Sequence, residues 1–262
     1  VLAELNTHRV LSKNSASSRA IPFEKMLAMA KEDPFIPIRF QKDHKGMQGT
    51  EYYEGAEHEQ CVYDWLHARD LAVEAATLFK FPVTKQLRNR LLEPYMWHTV
   101  ICSATDFENF FALRAHSDAE IHIAKLAELM LEEYNKSEPN SLEPGEWHVP
   151  FGDKIDESRL WKVCDLDDSD MEESVGDLSS MAQMNRILDQ ARMKISVARC
   201  GRISYYNFEG KDDYDADIKM CDKLFKNIPK HLSPAEHVAQ CMDDDKFIGN
   251  FRGWKQYRKM FK

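Results

Sequence analysis

The sequence predicts an α+β fold (mixed α/β) that has more helices than strands. Apolar residues recur at helical spacing over long stretches such as 57–79 and 178–202, whereas strand-like stretches are short. An apolar fraction of 43% allows a sizeable core, and 30% charged residues are typical of a soluble surface. Each element of this fold is predicted from a local pattern.

The first fifty-five residues alternate short elements with loops. Residues 1–5 predict a strand, which leads into a polar, serine-rich loop at 12–18. Pro22 suits the first position of a helix, so a helix is expected over 23–31. Prolines, glycines and polar residues over 33–55 predict irregular structure.

A long amphipathic helix is expected over 57–79. Its apolar residues would form one broad face: Trp65, Leu66, Ala72, Ala75, Ala76 and Phe79. The next helix, over 84–93, would be capped by Thr84 and ended by Pro94.

Two segments have the form of a capping box, in which Ser or Thr is followed three residues later by Glu. These segments are Thr105–Glu108 and Ser117–Glu120. Each should begin a helix, and the second helix would run to about Tyr134.

The second half of the chain contains a loop, an acidic stretch and two helices. Residues 135–153 form a loop rich in Pro and Gly. Residues 153–177 carry ten Asp or Glu against three Lys or Arg, which predicts a solvated loop or a mobile segment. Helices are expected over 178–202 and 215–225.

Charge and hydropathy exclude several classes of protein. The net charge of −9 argues against a nucleic-acid binder with a basic surface, although most of it resides in 153–177. No stretch reaches about 18 consecutive apolar residues, so no membrane span is expected. The chain begins at Val1 without Met or a signal peptide, and we expect a short upstream strand to be missing.

Six cysteines are widely spaced and include no Cys-x-x-Cys pair. We therefore expect reduced thiols in a cytoplasmic protein and no metal site. Cys200 follows an arginine, which would favour a thiolate, but a buried and inert thiol is the alternative interpretation.

The densest polar cluster covers residues 8–19. It combines His8, Arg9 and Arg19 with serines and an asparagine between a strand and a helix. Guanidinium groups, hydroxyls and loop amides are the groups that bind phosphate. A polar surface loop with a helix cap is the alternative.

A second cluster contains Arg88, Arg90 and Arg114, which border apolar helix positions. Cations in such places can face a cleft, or they can be snorkelling arginines of ordinary amphipathic helices. A third cluster covers 198–205 and 231–237, where a helix cap and a binding site are both possible readings.

Together the three clusters resemble the flavin-dependent thymidylate synthases. That family has the signature Arg-His-Arg-x-x-Ser-x-Asn-Glu-x-Ser-x-Arg-Tyr, and residues 7–20 follow it. Six positions match: His8, Arg9, Ser12, Asn14, Ser17 and Arg19. Thr7, Ser15 and Ala20 depart from the family's Arg, Glu and Tyr.

Other family elements are present in a different order. Residues 109–119 match a later family element, and Arg90 with Pro94 matches another. Two further elements, 198–205 and 231–237, precede the signature in the family but follow it here. The resemblance therefore implies a divergent and circularly permuted member, a form that would suit a phage gene of nucleotide metabolism.

In such a permuted member, residues 251–258 would lie near the start of the signature strand. Gln256 or Arg258 would replace the arginine lost at Thr7. A sheet flanked by helices would form a single catalytic domain over 1–262, with 135–195 as an unmatched insert or connecting segment.

The resemblance also implies an activity. Such enzymes methylate dUMP at C5 with methylene-tetrahydrofolate as carbon donor, reduced FAD as hydride donor and NADPH as reductant of the flavin. Another pyrimidine nucleotide (dCMP), a hydroxymethyl product, or a non-catalytic nucleotide-binding homologue are the alternatives. A homotetramer with shared active sites is implied as well.

Residue roles carry over by position. Arg114 would be catalytic and would stabilise the uracil anion. Substrate would be bound by Arg90, Ser15, Ala16, Ser17, Ser18, Arg19 and Arg114. The cofactors would be bound by His8, Arg9, Ser103, Asn109, His231, Ser233 and Glu236.

Overall fold

The computed structural model describes most of the chain: residues 1–45, 49–167, 170, 177–203 and 212–261. The fold is mixed α+β, with 54% helix and small antiparallel sheets, which confirms the predicted class. The chain forms two compact units. Unit 1 comprises Val1–Arg9, Ala16–Thr99 and Asp106–Asn140. Unit 2 comprises Val10–Ser15, Val100–Thr105 and Ser141–Lys262. The single catalytic domain stays a prediction.

Unit 1 is helical throughout its described part. Its helices are α1 Leu2–Thr7, α2 Phe23–Glu32, α3 Gly55–Thr77, α4 Lys85–Arg88, α5 Glu108–Arg114 and α6 Ile121–Lys136. Two 3₁₀ turns follow α4, at Asn89–Leu91 and Glu93–Tyr95. The most deeply buried side chains of this unit are Met26, Ala30, Leu92, Phe110, Ile123 and Ala127.

The predicted strand at 1–5 is wrong, because this segment forms α1. Leu2, Ala3 and Leu5 are strong helix formers, and only Leu5 is buried. Helix propensity therefore outweighs the short apolar run that suggested a strand.

Helix α3 confirms the predicted long helix, but the predicted broad apolar face is wrong. Of its six residues only Ala76 is buried, and Phe79 lies beyond the helix end with 44% of its surface exposed. The packed side of the helix is a narrow strip through Arg69, Val73 and Ala76. Arg69 donates to the carbonyl of Ala30 at 3.1 Å, which joins α3 to α2.

The helix predicted over 84–93 ends early, at Arg88. Pro94 does not end it; this proline lies inside a 3₁₀ turn. Thr84 precedes α4 but makes no side-chain cap hydrogen bond.

Both predicted capping boxes are wrong in detail. Helix α5 begins only at Glu108, and the hydroxyl of Thr105 accepts from the backbone N–H of Arg252 at 2.9 Å. Helix α6 is capped by Glu120 itself, whose carboxylate accepts from the N–H groups of His122 and Ile123. The acidic residue, which was expected inside the helix, is the cap.

Unit 2 contains the strands. They are β1 Ser12–Ser15, β2 Val100–Ser103, β3 Trp147–His148, β4 Ala239–Cys241, β5 Phe247–Ile248, β6 Phe251–Arg252 and β7 Trp254–Gln256. All pairings are antiparallel: β1 with β2, β5 with β6, and a three-stranded sheet in the order β3-β4-β7. Ser12 lies opposite Ser103.

Three helices of unit 2 pack against one another: α7 Glu157–Val163, α8 Leu178–Arg202 and α9 Tyr214–Lys226. Helices α8 and α9 confirm the helices predicted over 178–202 and 215–225. Helix α7 corrects the acidic loop predicted over 153–177, because Leu160 is fully buried against Leu188 and Ile195. Residues 168–169 and 171–176 of that stretch lie outside the described residues.

Three other features bear on the sequence predictions. Ser233 begins only a 3₁₀ turn, Pro234–Glu236, without a side-chain cap bond. Among the described residues, no helix combines the length and the apolar character needed to cross a bilayer. The six cysteines are free thiols.

Candidate functional site

The candidate residues divide between the two units, and His8 and Arg114 are the central pair in unit 1. His8 follows the end of α1 and is buried, and its ring meets Phe110 edge-on at 5.0 Å. Arg114 is in the last turn of α5, and its Nε donates to Nε2 of His8 at 2.9 Å. Since Nε2 accepts, the ring is neutral and carries its proton on Nδ1. The two terminal nitrogens of Arg114 make no hydrogen bond to a described residue.

Three further arginines of unit 1 are exposed. Arg9, Arg19 and Arg90 have no hydrogen-bond or ion-pair partner among the described residues. Arg88 differs from them, because its guanidinium lies 3.5 Å from the centre of the Phe23 ring and its Nε donates to the carbonyl of Ala76. Arg88 is therefore structural, and the other three are available to a ligand.

The loop that carries the substrate-binding candidates is held by its own backbone. Ala16 is buried, and its N–H donates to Thr99 O at 2.8 Å. The carbonyl of Ser17 accepts from the N–H of Ala20. The hydroxyl of Ser18 donates to the carboxylate of Glu93 and is thus engaged within the protein.

Asn89 fixes the same loop and was missed by sequence reasoning. It is fully buried, and its side-chain amide donates to the carbonyls of Ser18 at 2.6 Å and Ile21 at 3.0 Å. Nothing in the sequence distinguishes this asparagine from a surface residue between two arginines.

In unit 2, Ser12 is the centre of a buried hydrogen-bond network. Its hydroxyl donates to Glu236 at 3.0 Å and accepts from the side-chain amides of Asn250 and Gln256, each at 2.9 Å. Arg258 forms an ion pair with the same Glu236 carboxylate. The start of the signature strand is therefore surrounded by residues from the C-terminal end of the chain.

The network agrees with the expected nearness of residues 251–258 to the signature strand, while a replacement for the arginine missing at Thr7 stays a prediction. Residues 251–258 were expected near the start of the signature strand, with Gln256 or Arg258 in place of the arginine missing at Thr7. Gln256 contacts Ser12 directly, and Arg258 reaches Glu236. Thr7 itself caps its own helix, because its hydroxyl donates to the carbonyl of Glu4 at 2.7 Å.

His237 is a second residue that the candidate list lacked, although it ends the His-x-Ser-Pro-x-Glu-His segment. It is fully buried, its Nδ1 lies 3.0 Å from the hydroxyl of Ser103, and its Nε2 has no hydrogen-bond partner. Burial lowers the pKa of His237 to about 4, with a smaller effect from His148. The ring is therefore neutral, with an unsatisfied nitrogen.

Two arginines of the third sequence cluster, Arg199 and Arg202, form ion pairs with Asp217 of α9. Asp217 is fully buried, and Arg202 lies 2.5 Å from one of its oxygens while Nε of Arg199 lies 3.5 Å from the other. Burial raises the pKa of Cys200 to about 12, so this thiol is inert rather than reactive. Ser204 and Tyr205 of the same motif lie outside the described residues.

The remaining candidates are accessible. Asn109 is exposed in the first turn of α5, and His231 and Ser233 are exposed before the 3₁₀ turn of unit 2. Ser15 and Ser103 lie at opposite ends of the β1–β2 pair, opposite Val100 and Ser12.

Comparisons of the chain with family models, with curated proteins and with solved structures find no match.

Proposed function

We propose that this protein is a circularly permuted flavin-dependent thymidylate synthase that methylates dUMP at C5. The contact between His8 and Arg114 carries the proposal. The two residues come from separate motifs of the resemblance and are 106 positions apart, yet their side chains are hydrogen-bonded at 2.9 Å. Surface arginines on unrelated helices have no reason to meet in this way.

Arg114 would perform the central electrostatic task. Because His8 holds its Nε, both terminal nitrogens are free to point their four N–H groups toward a substrate. A guanidinium positioned beside the uracil ring stabilises negative charge on it and makes C5 more nucleophilic. Such preorganised stabilisation is worth about 3 kcal/mol of barrier.

The nucleotide phosphate would be bound by cations of unit 1. Arg19 and Arg90 are exposed and unpaired among the described residues, as a phosphate site requires. The loop backbone at Ala16, Ser17 and Ser18 is fixed by Thr99 and Asn89, so little of it needs to be ordered on binding.

The buried network around Ser12 supports the permuted order. In the family the segments corresponding to 198–205 and 231–237 precede the signature. Described residues of both segments contact the signature strand here: the side-chain amide of Asn14 donates to the carbonyl of Cys200 at 2.7 Å, and Ser12 donates to Glu236. These contacts are the ones that a permuted order would keep.

The residues present fit a flavin. The side chains of Arg9, Asn109, His231 and Ser233 are exposed, and they offer hydrogen-bond donors to the acceptor-rich rings and phosphates of FAD. The resemblance assigns to FAD His8, Arg9 and Asn109 of unit 1 and Ser103, His231, Ser233 and Glu236 of unit 2; in a homotetramer with shared active sites these two groups need not meet within one chain. When bound, the flavin supplies the hydride that completes the methyl group, after reduction by NADPH. Arg258 and Ser12 hold the carboxylate of Glu236 in place.

We further propose a cytoplasmic homotetramer with shared active sites. Unit 1 exposes large apolar side chains that a subunit contact would cover, among them Leu71, Leu78, Phe81 and Leu87, each more than half exposed. Sedimentation velocity at several concentrations measures the assembly directly.

Replacement of Arg114 by Ala should abolish turnover and leave flavin bound, because Arg114 acts on the pyrimidine rather than on the cofactor. The measurements are mass spectrometry of the product from dUMP and from dCMP with folate, NADPH and FAD, and the flavin absorbance of the purified variant. Lys125→Ala on the exposed face of α6 is the matched control and should remain active. A fully active R114A enzyme would contradict the role of Arg114.

A non-catalytic nucleotide-binding homologue is the second candidate, and the altered Thr7 and Ser15 favour it. This alternative predicts nucleotide binding by colourless protein that takes up no FAD. It also predicts no tritium release from 5-labelled dUMP. A yellow protein that releases FAD on denaturation excludes it.

A further inference from the structure

A groove of about 370 Å³ lies in unit 2, apart from every residue assigned above. One wall is the face of α8 that presents Asn185, Arg186, Gln190 and Met193 at helical spacing. The opposite wall contains the rings of Trp147 and Tyr257, and these rings meet edge-on with centres 5.5 Å apart. The volume is within the range of small-molecule sites.

Two aromatic side chains, Trp147 and Tyr257, and two thioethers, Met193 and Met260, line the groove. Trp147 and Tyr257 both pack against the buried cluster that contains Met193 and Val197, so their positions are fixed by the core. Rigid aromatic faces and a thioether favour a planar ring as ligand.

The groove is also rich in hydrogen-bond donors that lack partners. The indole N–H of Trp147, the phenol O–H of Tyr257 and the guanidinium of Arg186 make no hydrogen bond to a described residue. Partly buried Trp and Tyr donors usually have a partner. Burial raises the pKa of Tyr257 to about 12, so its hydroxyl keeps its proton and can donate.

The one carboxylate in the lining does not balance these donors. Asp189 is bound by Arg192 at 2.8 Å, and Arg192 also reaches Glu157 at 2.6 Å. A ligand of this groove would therefore have to supply hydrogen-bond acceptors and negative charge.

We propose that this groove binds a planar aromatic anion, stacked between α8 and the Trp147–Tyr257 wall with its charged group at Arg186. The anionic group is a carboxylate or a phosphate, both of which match the guanidinium fork. The site is independent of the proposed methyltransferase activity, since none of its lining residues takes part in that activity.

Calorimetric titration of the full chain tests a carboxylate ligand and a phosphate ligand separately. One pair of probes is nicotinate and nicotinamide, and the other is AMP and adenosine. The anion of at least one pair should bind saturably and about tenfold more tightly than its neutral counterpart. This difference in affinity corresponds to one charge-assisted hydrogen bond. Equal binding of anion and neutral compound, or no saturable binding of either anion, would overturn the proposal.

Variants locate the binding. Arg186→Ala should weaken the bound anion about tenfold, because it removes a charged donor from an exposed position that folding does not need. Lys219→Ala, an exposed cation on neighbouring α9, should have no effect. Arg90→Ala separates the two proposals: if R90A loses AMP and R186A keeps it, the groove is refuted while the methyltransferase proposal stands.

Discussion

At the residue scale, the fold holds two histidines neutral by different means. His8 is neutral because Arg114 donates to its Nε2, and His237 is neutral because burial removes water from its ring. The neutral state of His8 depends on one neighbouring side chain, whereas that of His237 depends on the surrounding core. Burial lowers the pKa of His237 to about 4 and also lowers that of His148, so His237 contributes to the pH dependence together with His148.

The stability of the protein should fall as the pH falls from 6.5 to 4. In this window the unfolded chain binds a proton at position 237 and the folded chain does not, because the folded pKa is about 4 and the ordinary value is 6.5. The free energy of unfolding contributed here should decrease by about 3 kcal/mol across the window. Urea unfolding at a series of pH values measures it.

His237→Gln should flatten that dependence, since glutamine does not titrate. His231→Gln is the matched control at an exposed position and should leave the dependence unchanged. An H237Q variant with the same slope as the unaltered protein would show that burial of His237 is not its origin.

The sequence indicated some of these residues but not others. His8 and Arg114 were identified because motif positions carry them. Asn89 and His237 were absent from the candidate list because their roles arise from burial: one satisfies loop carbonyls, and the other is left with an unsatisfied nitrogen. Neither property is visible in residue type or spacing.

At the element scale, the long helices were predicted well and the short elements poorly. Helix α8 has the predicted bounds, because its 25 residues contain no proline and are mostly good helix formers. Helix α7 was read as solvated loop, since the charges around it conceal one buried leucine, Leu160. Helix caps were misplaced because several residues near a helix start can supply the carboxylate or hydroxyl.

Glu120→Ala should lower the free energy of unfolding by about 1 kcal/mol, because the Glu120 carboxylate caps two N–H groups of α6. Ser117→Ala, at the position where a capping box placed the cap, should be neutral. Thermal unfolding of both variants compares them directly. A larger loss of stability in S117A than in E120A would show that Ser117 caps α6, as the capping box predicted.

At the scale of the whole molecule, the first segment of unit 2, Val10–Ser15, is bonded to its last described residues. Gln256 is buried, and its amide joins the hydroxyl of Ser12 at 2.9 Å and the carbonyl of Glu236 at 2.9 Å. The details of the pairing were beyond the sequence, because contacts 244 residues apart depend on the complete fold.

Gln256→Ala should destabilise the protein by about 1–3 kcal/mol, since it leaves a buried carbonyl and hydroxyl with fewer partners. Lys246→Ala, at a side chain 81% exposed, is the control and should change little. Urea unfolding followed by circular dichroism gives both values. Equal stability of Q256A and the unaltered protein would show that the ends of unit 2 are held by other contacts.

The bond between Ala16 N and Thr99 O, 2.8 Å long, has an evolutionary consequence. Residues 16–99 leave the β1–β2 pair and return to it at adjacent backbone positions. A coding segment whose ends meet in the folded product can be lengthened, exchanged or shortened in the gene without moving its flanks. Lineages of this protein should therefore vary most in size within this segment.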